Sequence, residues 1–161
     1  MAAGDITFYT NFLYGQEDGG GGASLDNMPV DFDEAGTIVV AVMNDTFSPE
    51  TTPATAQLHF DDISANQVST GSTYLGFITL TSLSVTNSAG VISFDAADIT
   101  ISKDGGDGFT NARRIVFFAE APAGTATNSP LIAFGDLGSN RSITGGDLTF
   151  SWNGSGIFTK T

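Results

Sequence analysis

The sequence predicts an all-β domain, a single antiparallel β-sandwich of jelly-roll or immunoglobulin-like type preceded by a short N-terminal helix or arm. Three observations predict it. Ile115 to Ala119 is an unbroken apolar run, β-branched or aromatic apart from its last residue, and Pro122 closes it soon after. Side chains alternate across a strand, so Ile115, Phe117 and Ala119 face one way and Val116 and Phe118 the other, and such a strand needs cover on both faces. Second, about eight short strand-like runs are separated by Gly, Pro, Ser and Asn, the spacing of a sandwich or barrel. Third, hardly any helical period follows residue 15, so neither strand-helix alternation nor a fixed repeat supports a parallel sheet or a solenoid.

From the N-terminus, Asp5–Gly15 has Asp at a possible N-cap and Gly at a possible C′ position, with Ile6, Phe8, Tyr9, Phe12 and Leu13 between them. This predicts a short helix. An extended arm is the competing reading, because aromatic and β-branched residues are mediocre helix formers. Gln16–Asn27 contains Gly19 to Gly22 in a row and reads as a flexible connection. The expected division is therefore residues 1–27 as arm and connection, and residues 28–161 as the sandwich.

Thr37–Met43 has no polar interruption after its first residue and is expected to be a second interior strand. Asn44–Ala54, with Pro49 and Pro53, should be a surface loop. Gln57–Ile63 partly alternates and reads as a short edge strand. In Tyr74–Val85 the apolar phase breaks between Leu80 and Leu83, which predicts one long strand re-aimed by a bulge or bend. Val91–Asp95 and Asp98–Ser102 alternate as half-exposed strands. Pro130 opens another apolar run, Leu131–Leu137. In Asp147–Trp152, Leu148, Phe150 and Trp152 alternate with Thr149 and Ser151, and Asn153-Gly154 separates this run from Ile157–Thr159. Asn-Gly between strand patterns predicts a terminal hairpin, since both residues tolerate positive φ.

Composition narrows the function classes. Eighteen acidic residues against five basic ones give a formal charge of −13. Neutralising a phosphate backbone takes clustered cations, and only Lys103, Arg113, Arg114, Arg141 and Lys160 are present, so neither nucleic acid nor an anionic membrane is an expected partner. The absence of cysteine excludes disulfides and thiolate metal sites. No apolar run approaches the roughly 18 residues of a membrane span, and the N-terminus lacks the pattern of a secretory signal.

No group of reactive residues declares a chemistry, so the expectation is no enzyme and no cofactor. His59 is the single histidine, which rules out a multi-imidazole metal site and makes it the one histidine a Ser-His-Asp triad could use. Leu58 and Phe60 would face away from it on a strand, which leaves it solvated or locally bonded. Asp61 and Asp62 would face opposite ways on a strand and cannot form a dyad, so turn capping is expected of them; Asp98 could in principle pair with either. Asp104 and Asp107, in Lys103–Gly108, offer oxygen ligands on a glycine-bent backbone, but the loop lacks EF-hand spacing and its closing glutamate, and a strand connection uses Asp and Gly anyway. Stacking on sugars could fall to Tyr9, Tyr14, Tyr74 or Trp152, with Trp152 alternatively on the inner face beside Phe150.

Taken together, the segments Thr37–Met43, Phe60–Ser69 with Gly71, Tyr74, Gly76 and Leu80, Asp95–Thr100, Ala112–Phe118, Ser129–Phe134 and Gly146–Thr159 resemble a group of small structural proteins of tailed bacteriophages. The similarity runs through most of the chain from Thr37 onward. The glycine run Gly19–Gly22 and Gln67, where the group often carries an acid, depart from it. The resemblance implies a virion component, a decoration or cement protein on the capsid surface, whose partner is the major capsid protein and which forms a homo-oligomer there. The alternative is a tail or fibre component that binds a host glycan. Aromatic side chains dominate interface energetics, so Phe8, Tyr9, Phe12, Leu13 and Tyr14 are the expected contact residues.

Overall fold

The computed structural model describes residues 6–9, 30–50, 57–69, 74, 76–103, 108–120 and 129–160. Ten strands are described: β1 (Ile6–Phe8), β2 (Ile38–Asn44), β3 (Phe77–Thr79), β4 (Ser84–Ser88), β5 (Val91–Asp95), β6 (Ile99–Ile101), β7 (Ala112–Ala119), β8 (Leu131–Arg141), β9 (Leu148–Phe150) and β10 (Phe158–Lys160). All pairings are antiparallel. They form a five-stranded sheet in the order β1-β8-β7-β2-β3, a three-stranded sheet β10-β5-β4 and a two-stranded sheet β6-β9. The expected all-β, sandwich-like architecture is what the chain adopts.

The strand that carries the Ile115–Ala119 run occupies the middle of the largest sheet. β7 is flanked by β2 and β8, and Ile115, Val116 and Phe117 are fully buried. Its two faces meet different cover. Phe117 lies opposite Val40 and Ala133, and its ring is 5.8 Å from Trp152 and 6.3 Å from Phe158, so this face meets the smaller sheets. On the other face Phe118 stacks on Phe60 at 4.2 Å. Phe60 opens a 3-10 helix, Phe60–Asn66, where an edge strand was expected. Phe60 and Ile63, three residues apart, are its buried residues, a helical spacing that the partial alternation of Gln57–Ile63 hid. Asp62 fixes the turn by accepting from the N–H groups of Leu58 and His59, both at 2.9 Å.

Three further expectations are corrected. Ile6–Phe8 is extended, not helical, and pairs with β8, Ile6 opposite Gly135 and Phe8 opposite Ala133; Tyr9 N–H continues the ladder to the Ile132 carbonyl at 3.0 Å. The break between Leu80 and Leu83 ends a strand instead of re-aiming one: β3 belongs to the large sheet, β4 to the three-stranded one, and Ser82 turns between them at φ 55°. No terminal hairpin forms. Asn153 does make a turn, its carbonyl accepting from Gly156 N–H at 2.8 Å, but neither Asn153 nor Gly154 takes a positive φ, and β9 and β10 diverge to different sheets. The two-residue hairpin turn lies instead at Ala89-Gly90, φ 52° and 86°, between β4 and β5.

Candidate functional site

The contact residues expected near the N-terminus fall into two sets. Phe12, Leu13 and Tyr14 lie outside the described residues, as do Asp104 and Asp107 of the glycine-rich loop and residues 51–56 of the proline-containing one. Phe8 and Tyr9 are described, and both pack inward. Phe8 is half-buried with its ring edge-on to Phe158 at 4.8 Å. Tyr9 is 1% exposed, edge-on to Phe134 at 5.2 Å. Its ring is a core residue in this structure, not a free anchor. Burial raises the Tyr9 phenol well above its ordinary range; Glu50 adds to the shift and Arg114 opposes it. The hydroxyl has no hydrogen-bond partner among the described residues.

Three of the five cationic residues gather where β7 and β8 leave the core. Between the pairs Arg114–Asp136 and Ala112–Arg141, β8 advances farther than β7, so Leu137–Asn140 bulges outward, with Gly138 at φ 76°. Asp136 sits at the root of the bulge and accepts from Gly138 N–H at 2.7 Å. Arg113 grips the same carboxylate with two nitrogens, Nε to Oδ1 at 2.9 Å and Nη2 to Oδ2 at 3.2 Å, and Arg114 stands 3.8 Å away. Partial burial works against the Asp136 charge, but these donors and the two guanidinium groups overcome it and hold its pKa below the ordinary value. Arg114 also reaches across to the Phe47 carbonyl, and Arg113 to that of Gly138 at 3.0 Å.

A groove of about 750 Å³ opens between this bulge and β9. Its walls include Arg113, Asp136, Arg141, Leu148, Phe150 and the Ser151 segment. Arg113 is committed to Asp136, whereas the contact recorded for Arg141 is to the Leu137 carbonyl at 3.3 Å. The lining supplies charge, a hydroxyl and apolar surface, with Asp136 held as an ion-pair partner and not poised to move a proton. Such a lining is suited to binding an extended chain or a carboxylate.

His59 and the remaining aspartates are not assembled with this groove. His59 begins the 3-10 turn, its Nδ1 4.0 Å from Asp62 Oδ2, and bridges to Pro130. Asp62 caps, as expected, while Asp61 is exposed on the turn. Asp98 lies elsewhere, accepting from Trp152 N–H at 3.0 Å. Trp152 is half-buried, its Nε1 donating to the Ala97 carbonyl at 2.9 Å, and the Tyr74 hydroxyl is buried between Val42 N–H and the Gly76 carbonyl. Among the described residues no three His, Asp or Glu side chains stand together as a metal site. The groove is a product of the β8 bulge, and in the sequence only Gly135 and Gly138 inside an otherwise strand-like run signal it. Comparison with protein-family models, curated proteins and solved structures finds no match to this chain.

Proposed function

We propose that the chain is a non-catalytic binding module of a bacteriophage virion, a decoration (cement) protein that sits on the assembled head shell and braces it. The observation that carries this reading is where the resembling segments lie. They are β2, the 3-10 turn, Gly76 and Leu80 on either side of β3, the β5–β6 junction, β7, the start of β8, and β9 with β10. The likeness is thus one of framework, and a shared framework with a solvated acidic surface suits a shared bracing role. In that role a rigid sandwich touches two or more shell subunits at once, and weak contacts add through high effective concentration. Of the four aromatic residues weighed for stacking on a glycan, Tyr9, Tyr74 and Trp152 are packed or bonded within the fold, and Tyr14 lies outside the described residues.

The test is reconstitution. Purified protein added to heads that lack it should bind saturably, at a fixed ratio to shell subunits, and raise the temperature at which heads release their DNA. Failure to bind, or binding without a gain in resistance, would refute the bracing role. Removing residues 1–15 is a poor probe of attachment, since it also removes β1 and the buried Tyr9.

A further inference from the structure

From Ile63 to Phe94 the chain contains no Asp, Glu, Lys or Arg, so all 18 acidic and 5 basic residues lie outside this stretch. The fold brings its strands to one side of the sandwich. Among the described strands, β3 is the last of the large sheet and pairs with β2, and β4 is the last of the three-stranded sheet and pairs with β5. The short connection Leu80–Leu83 joins them, and each is an edge strand among the described residues. Among the described residues, the large apolar side chains that remain exposed all belong to this region: Phe77 at 54%, Ile92 at 45% and Val85 at 42%.

We infer that this side is an interface between two copies of the chain, formed by antiparallel pairing of β4 with β4 of the partner subunit. Exposed strand edges are templates for pairing, and proteins normally blunt them with Lys, Pro, a bulge or extreme shortness. β4 has none of these. Its five residues, Ser-Val-Thr-Asn-Ser, are all exposed, and they pair with β5 without a register shift. The two-residue turn sets the phase: Ser84, Thr86 and Ser88 bond to β5, so the backbone N–H and C=O groups of Val85 and Asn87 point outward. A two-fold axis at Thr86 then places Val85 against Asn87 of the partner subunit and Thr86 against its own counterpart. The result is one continuous sheet across both copies.

Charge selects the occupant. Two copies at −13 each repel through most of their surfaces, and a self-complementary contact needs a side free of carboxylates. Within β4 and its partners Val91–Phe94 there is no carboxylate, and the nearest along the ladder is Asp95, opposite Ser84. This inference is read from the isolated protein and does not depend on the virion assignment.

Analytical ultracentrifugation of the full chain at micromolar concentration tests it, with two variants. Thr86→Lys sets like charges opposite one another at the axis, and Asn87→Pro removes an outward N–H without touching the β4–β5 bonds. The expected result is a dimer that tightens as sodium chloride is raised, because screening relieves the repulsion, and that is weakened at least ~tenfold in each variant while the melting curve stays that of a folded protein. A monomeric wild type at every salt concentration would overturn the proposal. So would a dimer that survives both substitutions, or one that loosens with salt, since that would place the contact in ion pairs such as those of the arginine groove. A monomer that loses shell binding when Thr86 or Asn87 is changed would give the surface to the shell and likewise overturn it.

Discussion

Replacing Tyr9 by Phe should stabilise the protein. The ring is 1% exposed and packs edge-on against Phe134, so its apolar body contributes as a core aromatic does. The hydroxyl is enclosed, with no hydrogen-bond partner among the described residues. Leaving such a group buried costs about 1–3 kcal/mol relative to water, and Phe keeps the ring while removing that penalty. Tyr9→Phe is therefore expected to gain about 1 kcal/mol, whereas Tyr9→Ala, which empties the site, should lose about 3–5 kcal/mol. That loss would be a large part of the roughly 5–15 kcal/mol that holds a domain folded. Urea unfolding reads both changes, with Trp152 as the single tryptophan, stacked on Phe150 and near Phe117. A loss of 1 kcal/mol or more in Tyr9→Phe would refute the reasoning, because it would mean that the hydroxyl is satisfied in solution. An unchanged stability in Tyr9→Ala would remove the N-terminal strand from the core.

Three more outcomes are expected. Ala89→Gly should raise stability by about 1 kcal/mol in the same urea assay, since Ala89 holds φ 52° in the β4–β5 turn, a conformation that costs a residue with a Cβ. Gly76→Ala should lower it by about 2 kcal/mol or more, because a Cβ there would come within 2.1 Å of Gln67 Nε2 and the backbone stands at φ 118°; shortening Gln67 to Ser in that background should recover the steric part but not the backbone part. The Asp136 carboxylate has a folded pKa below its unfolded one, so its contribution is complete above the unfolded value near 3.8 and is lost as pH falls through the lower folded value. Urea midpoints measured down through that window should therefore fall more steeply for the wild type than for Asp136→Asn, which starts lower at neutral pH; parallel profiles would contradict the assignment.

The parts of the fold legible in the sequence are those where one local signal governs. β7 and β2 announce themselves because strands covered on both faces leave no room for polar residues, and the chain buries both. What escaped were places where two signals compete. Gln57–Ile63 alternates well enough to suggest a strand, yet Asp62, three residues after His59, captures the N–H groups that a strand would have paired. Asn153-Gly154 carries the favoured hairpin dipeptide, but β9 pairs with β6 while Phe158 of β10 stacks on Phe94 of β5, so the flanking strands join separate sheets. The true hairpin turn uses Ala89, which no turn preference would select. The arginine groove was still less visible, since it depends on Arg141 lying opposite Ala112 across a bulge whose length the sequence does not specify. Residue type alone marks the N-terminal aromatic residues as contact anchors, but type does not report pairing: β1 pairs with β8, and Tyr9 next to it lies in the core.

The measurement that bears most directly on the proposed role is the number of copies of this chain in purified virions, by quantitative mass spectrometry against the major shell protein. A decoration protein should be present in numbers comparable to the shell subunit. A copy number of a few per particle would contradict that role and favour a tail or fibre position, and absence from the virion would remove the bacteriophage reading altogether.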